Sequence, residues 1–234
     1  MDIVGWVGSV GAEATLLNST KGSAAAQPYT GDLFSRGFIA LTESASTPRL
    51  RATFAIYLGL VAASSVIGPD QVPGSWYYLS GVLGFIFVAY ACLTRIWTSV
   101  FIAGHKDVEL VTTGPYARCR HPLYASSVVG ALGLGLTTRS LLLCAIVVAL
   151  IAALVIYAAS CEEQFLADAF PEAFQAYVKA TPNKWWPGSV SAALPEHLDV
   201  RPVVFWKAFL DAGSFFVLYL LVAFATEYRL TPTF

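Results

Sequence analysis

The chain has 234 residues, a length that suits one domain rather than two. Hydrophobic residues make up 56% of it and charged residues 12%, whereas soluble domains carry about 25% charged residues. The chain therefore lacks the polar surface of a water-soluble globule. Its net charge of -1 gives no indication of a nucleic-acid partner, and its four widely spaced cysteines do not suggest a disulfide framework or a metal site.

The first 51 residues differ in character from the rest of the chain. Residues 3–17 are apolar but short, contain Glu13 and follow no basic segment, so they do not resemble a signal peptide. We predict an interfacial or partly inserted helix there, with a sixth membrane span as the alternative. Residues 18–48 are rich in Ser, Thr, Ala and Gly and are predicted to form a loop. Residues 1–51 thus form a predicted N-terminal region, and residues 52–234 a predicted membrane domain.

Long runs without Asp, Glu, Lys or Arg occupy most of the membrane domain. A membrane-spanning helix needs about 20 mainly apolar residues, and four continuous runs suit this length: residues 52–69, 71–94, 121–138 and 140–161. A fifth span, at about 203–225, contains Lys207 and fits if that side chain reaches the membrane surface. The sequence therefore predicts an all-α, polytopic integral membrane bundle of about five transmembrane helices.

The distribution of Lys and Arg between the loops predicts the orientation of this bundle. Residues 95–121 and 162–202 each contain several basic residues, whereas residues 68–75 contain none. Because basic loops tend to remain on the cytoplasmic side of a membrane, we expect both basic segments to be cytoplasmic.

The same two segments hold most of the unusual polar residues. Residues 120–122, Arg-His-Pro, stand at the start of the third span, and Glu162 and Glu163 stand at the end of the fourth. A turn predicted at Thr137–Ser140 would join these spans into a helical hairpin. Both polar groups should then meet at one face of the membrane.

The Arg-His-Pro segment suits an anion site. Pro122 disfavours helical backbone at His121 but fits the first turn of a helix, so the third span should begin near Pro122. A helix N-terminus attracts anions, and Arg120 and His121 would strengthen that attraction. The alternative is that Arg120 is only a membrane anchor and His121 only a polar residue at a helix end.

The Glu162-Glu163 pair suits a cation site. Two adjacent carboxylates at the membrane surface repel one another unless a cation lies nearby, and the alternative is a solvated helix end. If the helix continues past the membrane through Tyr177, the pair lies in mid-helix. An anion site beside a cation site fits a zwitterionic amino acid moiety such as that of S-adenosylmethionine, but these charges do not single out that molecule.

At this point the sequence resembles a known superfamily. Gly114-Pro115-Tyr116, the Arg-His-Pro-Leu-Tyr segment at 120–124, and the Glu pair with the aromatic residues after it are similar to the isoprenylcysteine carboxyl methyltransferases and phospholipid methyltransferases. The resemblance covers roughly residues 76–187. It implies a multi-helix membrane fold, S-adenosylmethionine as cofactor in a cytoplasmic pocket over the hairpin, and a lipophilic or lipidated substrate that enters from the bilayer.

The resemblance also implies roles for residues in both segments. Tyr116 and His121 would line the cofactor pocket, which Leu110 and Val111 would contact through their backbone. The Glu pair would take the amino group of the cofactor, Arg120 would orient the nucleophile or the cofactor carboxylate, and Tyr124 would hydrogen-bond within the pocket. The predicted catalytic residues are Arg120, Glu162 and Tyr124, and the predicted cofactor residues are Leu110, Val111, Gly114, Tyr116, His121, Pro122 and Glu163.

The expected reaction is methylation of the carboxylate of an isoprenylcysteine-like substrate, with a phospholipid amine or a small thiol as alternative acceptors. An NADPH-dependent sterol-type reductase is a second class, because its Arg-His-Pro segment is related. In those reductases Asn-Tyr usually follows Arg-His-Pro, whereas Leu123-Tyr124 follows it in this chain. A glutamate pair would also repel the phosphates of NADPH.

A non-catalytic membrane accessory protein is the third class of function. Pro171 after Phe170 and the extra span at about 203–225 depart from the pattern of the resembled superfamily.

Overall fold

The computed structural model describes residues 51–67, 74–102, 110–188, 200 and 202–230. These residues form seven helices and no strand, which confirms the predicted all-α membrane bundle. We number the helices in chain order as α1 (Arg51–Val66), α2 (Gly74–Ile102), α3 (Pro115–Arg118), α4 (Pro122–Thr137), α5 (Leu141–Ala169), α6 (Pro171–Ala180) and α7 (Pro202–Leu230).

Five of these helices are apolar and correspond to the five predicted spans. Helices α2, α5 and α7 are long and apolar enough to cross a membrane. Helices α1 and α4 are shorter; the 16 residues of α4 extend about 24 Å, less than the roughly 30 Å of a hydrocarbon core. A full crossing by α1 and α4 therefore stays a prediction.

Small residues allow α2 and α4 to pack with their backbones close together. A Cβ atom at Gly133 would lie 2.8 Å from the carbonyl oxygen of Gly84 and 2.8 Å from the backbone nitrogen of Val88. Without a strong hydrophobic force between helices in lipid, such close approach is a main source of association. This contact fixes the position of α4, and therefore of the segment that precedes it.

The core of the bundle lies where α1, α2, α4, α5 and α7 meet. Val88, Leu134, Ile151 and Phe215 are almost completely buried there, and the Tyr57 ring packs edge-on against Phe215 with the centroids 6.0 Å apart. The outward faces of α1, α2, α5 and α7 expose many large apolar side chains, whereas every residue of α4 is buried or half-buried. Exposure of that extent suits a lipid environment rather than water.

The predicted hairpin is present as α4 and α5. The helix α4 begins at Pro122, as predicted, and the turn runs from Thr138 to Ser140. In that turn, Arg139 has a φ of 58°, a backbone conformation that is uncommon for residues other than glycine. Its guanidinium lies 3.7 Å from the centre of the Tyr77 ring and 2.6 Å from the carboxylate of Glu227. The turn is thus attached to the start of α2 and the end of α7.

The structure corrects the extent of the helix that carries the glutamate pair. The helix α5 continues past Glu163, but it ends at Ala169 instead of running through Tyr177. Phe170 caps it, and Pro171 starts the separate helix α6, since proline has no N–H for a continuing helix and suits a first turn. The predicted helix at 3–17 and the loop at 18–48 lie outside the described residues, so the domain boundary near residue 51 stays a prediction.

Candidate active site

The start of α4 is clamped by the segment that follows α6. The Arg120 N–H donates to the carbonyl of Asn183 at 3.0 Å, and the His121 N–H donates to that of Lys184 at 3.1 Å. The Gly188 N–H donates back to the carbonyl of Arg118 at 2.9 Å. Residues 118–121 are therefore held by backbone hydrogen bonds as well as by the helix that they start.

A cluster of four charged or polar side chains forms at this point, which we call the Glu163 cluster: Arg120, His121, Glu163 and Lys184. One Glu163 oxygen, Oε1, accepts from Arg120 Nε at 3.1 Å and lies 3.0 Å from His121 Nε2. The other, Oε2, accepts from Lys184 Nζ at 2.8 Å. The hairpin thus brings the Arg-His-Pro segment and the glutamate together.

His121 is the most deeply buried member, with a side chain 5% exposed. Loss of solvation lowers the pKa of His121 below its usual value, although Glu163 opposes this shift. The lowered pKa favours the neutral imidazole. In that form the contact with Glu163 needs the proton on Nε2, because an ionised carboxylate only accepts, and Nδ1 is left as an acceptor. Its ring lies between Tyr124 and Trp185, with both centroids 5.6 Å away.

Arg120 is held by several acceptors. Besides Glu163, its Nη1 donates to the carbonyls of Thr181 at 3.1 Å and Pro182 at 3.4 Å. Its side chain is 12% exposed, so the guanidinium is part of a packed wall and not a free surface charge.

The two adjacent glutamates have different surroundings. Glu163 is half-buried in the cluster, whereas Glu162 is exposed and makes no ion pair or hydrogen bond with any residue that the structure describes. Successive residues on a helix point about 100° apart, which separates the two side chains. The predicted catalytic role of Glu162 stays a prediction.

The predicted site residues that precede α4 in the chain, Leu110, Val111, Gly114 and Tyr116, form a wall beside the Glu163 cluster. Leu110 and Val111 are half-buried, and Gly114 has a φ of 58° where a Cβ atom would lie 2.2 Å from the ring of Phe101. Burial raises the pKa of Tyr116 well above its usual value, and the Tyr116 carbonyl accepts from the Tyr177 hydroxyl at 2.8 Å. Gly114 thus permits the bend by which this wall packs against α2.

Two residues of the site escaped the sequence analysis, namely Lys184 and Trp185. The segment 182–187 contains two tryptophans and two prolines around a single lysine, and that composition was the available signal. It shows no helical or strand periodicity, and its aromatic composition fits either a position at the membrane interface or a gate over the pocket, so the sequence did not assign these two residues to the site. In the part of the chain that the structure describes, no group of three or more His, Cys, Asp or Glu side chains could hold a metal ion.

Comparison with known proteins shows that part of this chain matches a known family. Residues 74–173 match the family model described as phospholipid methyltransferase. The predicted resemblance is confirmed over these residues. The matched segment runs from the start of α2 into the start of α6 and includes both polar segments, whereas α1 and α7 lie outside it. The family is one of membrane methyltransferases.

Two similar proteins are named as metal resistance proteins. The chain is 39% identical over 128 residues to the cobalt-zinc-cadmium resistance protein CzcN of Cupriavidus metallidurans, covering 54% of this chain and 59% of that protein. It is 37% identical over 130 residues to the nickel-cobalt-cadmium resistance protein NccN of Alcaligenes xylosoxydans xylosoxydans, covering 54% and 60%. The chain thus spans about three fifths of the length of these relatives. No solved structure matches the chain.

Proposed function

We propose that this protein transfers a methyl group from S-adenosylmethionine to a lipophilic substrate at the membrane. The observation that carries the proposal is the Glu163 cluster at the mouth of the hairpin, inside the segment that matches a methyltransferase family. The cluster places the Glu163 carboxylate within 3.1 Å of the Arg120 guanidinium, the His121 imidazole and the Lys184 amino group.

These groups fit the amino acid part of the cofactor. Glu163 is suited to its ammonium group, and Arg120 and Lys184 are suited to its carboxylate through charge-assisted hydrogen bonds. Tyr116, His121, Leu110, Val111, Gly114 and Pro122 would line the rest of the pocket. When bound, the cofactor supplies an electrophilic methyl group on a positively charged sulfur.

The position of Arg120 bears on its proposed role. Its guanidinium already contacts Glu163 and two backbone carbonyls, which suits contact with the cofactor better than movement toward a substrate. Tyr124, on the first turn of α4 beside His121, is proposed to hydrogen-bond within the pocket. If the acceptor is an amine, a base must remove a proton, and His121 or Glu162 is proposed for that step.

The acceptor that we favour is the carboxylate of an isoprenylcysteine-like substrate, with a phospholipid amine or a small thiol as alternatives. We also propose that the site faces the cytoplasm, because the segments that form it are the two rich in Lys and Arg. Here the protein would meet both a soluble cofactor and a lipophilic substrate from the bilayer.

A non-catalytic accessory role in metal resistance is the second candidate, since both similar proteins are named as metal resistance proteins. An NADPH-dependent reductase is less well supported, because Glu163 would lie close to the phosphates of that cofactor. These candidates differ in the ligand that they bind, which calorimetry can measure directly.

The test is calorimetric titration of the full-length protein in detergent with S-adenosylhomocysteine and with NADPH. We expect micromolar binding of S-adenosylhomocysteine alone. Glu163→Gln should weaken it about tenfold or more, since hydrogen bonds to charged groups contribute about 1.5–3 kcal/mol, and His121→Ala should also weaken it. The matched control is Glu172→Gln, an exposed glutamate in the first turn of α6.

Three outcomes would contradict the proposal. Binding of NADPH alone would identify a reductase. Binding of neither compound would favour the accessory role. Equal affinity for S-adenosylhomocysteine in the Glu163→Gln and Glu172→Gln variants would remove the Glu163 cluster from the cofactor site.

A further inference from the structure

Trp185 is the aromatic residue through which the segment after α6 contacts the Glu163 cluster. Its ring centroid lies 5.6 Å from that of His121, and Lys184 Nζ lies 5.6 Å from the centre of the same ring. The proposed cofactor contacts involve the charged and polar groups of the cluster but not this ring. Trp185 therefore contacts the site without an assigned role in it.

Lys184 places a positive charge against two different groups at once. Its Nζ donates to Glu163 Oε2 at 2.8 Å and lies within the range of about 6 Å in which the face of an aromatic ring attracts a cation. Glu163 belongs to α5 and lies 21 residues from Lys184 in the chain. The position of the amino group is therefore set by the carboxylate as well as by the neighbouring tryptophan, and both groups attract positive charge.

The Trp185 ring is also accessible from outside the cluster. Trp185 is half-buried, and it lines a cleft of about 380 Å³ together with Trp186 and Pro187. The Lys184 side chain is 29% exposed, so it is not locked in the interior and can leave the ring when another cation approaches. A ligand bound at Glu163 can thus reach the ring and replace the lysine there.

The two positive groups of S-adenosylmethionine differ in the protein groups that suit them. Its ammonium group has N–H donors and is best satisfied by an acceptor such as a carboxylate. Its sulfonium has no N–H or O–H, like the quaternary ammonium groups that proteins bind with aromatic faces, and tryptophan gives the strongest cation–π contact. Glu163 and Trp185 therefore suit the two positive groups separately.

We propose that Trp185 binds the sulfonium of S-adenosylmethionine through its ring face, and that this contact makes the site selective for the charged cofactor over S-adenosylhomocysteine. This inference rests on the proposed function and adds a specificity-determining residue to it. Glu163 holds the ammonium group and Trp185 attracts the sulfonium. Lys184 lies over the ring until the cofactor binds and then turns to the cofactor carboxylate.

Methyl transfer removes the charge that the ring attracts. The acceptor donates an electron pair to the methyl carbon, the carbon–sulfur bond breaks, and the electron pair of that bond stays on the sulfur. The sulfur of the product is neutral, so its contact with Trp185 is weaker as soon as the transfer is complete. Lys184 can then return to the ring, which favours release of S-adenosylhomocysteine.

The experiment compares the affinities of S-adenosylmethionine and S-adenosylhomocysteine for the full-length protein in detergent, measured by calorimetry without added methyl acceptor. Trp185→Leu should weaken binding of S-adenosylmethionine about fivefold, because a cation–π contact is lost, and should leave S-adenosylhomocysteine unchanged. Trp185→Phe should give a smaller loss, because phenylalanine keeps an aromatic face. The matched control is Trp186→Leu, at a neighbouring tryptophan that is 70% exposed, and it should change neither affinity.

A second measurement preserves the shape of the ring. Protein produced with fluorotryptophan has indole rings of nearly the same size but lower electron density, which weakens the attraction of the ring face for a cation. The replacement affects all six tryptophans, so the Trp185→Phe protein produced in the same way is the control. Fluorination should lower the affinity for S-adenosylmethionine relative to S-adenosylhomocysteine in the unaltered protein but not in the Trp185→Phe protein.

Equal weakening of both ligands by Trp185→Leu would show that Trp185 only packs against the site. Unchanged binding of S-adenosylmethionine in that variant would show that the ring does not contact the sulfonium. A fluorination effect of the same size in the Trp185→Phe protein would assign the effect to another tryptophan. Each of these results overturns the inference while the proposed function stands. If the unaltered protein binds neither compound, the proposed function itself is wrong, and this inference is wrong with it.

Discussion

Lys184 pairs with the carboxylate that the ammonium group of the proposed cofactor would also bind. Its ammonium group donates to Glu163 Oε2 at 2.8 Å, and its side chain is 29% exposed. The proposed ligand also brings an ammonium group to Glu163, so Lys184 competes with that group. The same lysine can pair with the carboxylate of the ligand. Lys184 should therefore oppose one half of the ligand and favour the other.

Lys184→Met should separate these two effects. We expect affinity for S-adenosylhomocysteine to fall about tenfold, since a charge-assisted contact to its carboxylate is lost. Affinity for decarboxylated S-adenosylhomocysteine should rise. The variant removes a competitor for Glu163, and this ligand has no carboxylate whose contact with Lys184 could be lost. Calorimetry with both ligands measures the difference, and Lys179→Met is the control. Equal changes for the two ligands would show that Lys184 does not act in this way.

At the scale of elements, the wall that precedes α4 depends on one backbone conformation. Gly114 has a φ of 58°, and a Cβ atom there would lie 2.2 Å from the Phe101 ring. Gly114→Ala should destabilise the protein by roughly 1–3 kcal/mol from backbone strain and overlap, and should weaken binding of S-adenosylhomocysteine because Tyr116 shifts.

The measurements for Gly114→Ala are thermal unfolding in detergent and calorimetric titration. Gly59→Ala in α1 is the control, since a Cβ atom at Gly59 would meet nothing within 4 Å and alanine favours a helix interior. A Gly114→Ala protein as stable as the Gly59→Ala protein would show that the bend tolerates a side chain.

The elements differed in how well the sequence predicted them, for physical reasons. Apolar runs and the position of Pro122 are local signals, so the five apolar helices and the start of α4 were predicted. The end of α5 at Ala169 was not predicted, because apolar residues keep a helical spacing up to Phe170. The return of segment 181–188 to the start of α4 depends on backbone hydrogen bonds between distant residues, which leave no periodic trace in the sequence.

At the scale of the whole molecule, two ion pairs join α7 to the part of the bundle that matches the family model. Arg95 of α2 pairs with Asp211 of α7, and Arg139 of the hairpin turn pairs with Glu227. Arg95 also donates to Ser127 of α4 at 2.7 Å and lies over the Phe215 ring. The helix α7 lies outside the segment that matches the family, so these contacts attach an additional helix to a core that contains the proposed cofactor site.

Asp211→Asn should therefore lower stability without affecting the cofactor site. Arg95 is only 14% exposed, and removal of its ionic partner leaves a largely buried cation uncompensated, which costs more than the pair itself contributes. We expect the thermal midpoint in detergent to fall by several degrees, while the affinity for S-adenosylhomocysteine stays unchanged. The double variant Arg95→Gln with Asp211→Asn should regain part of the loss, because no unpaired charge remains. Additive losses in the double variant would show that the two side chains act independently, and a loss of affinity would mean that α7 supports the site directly.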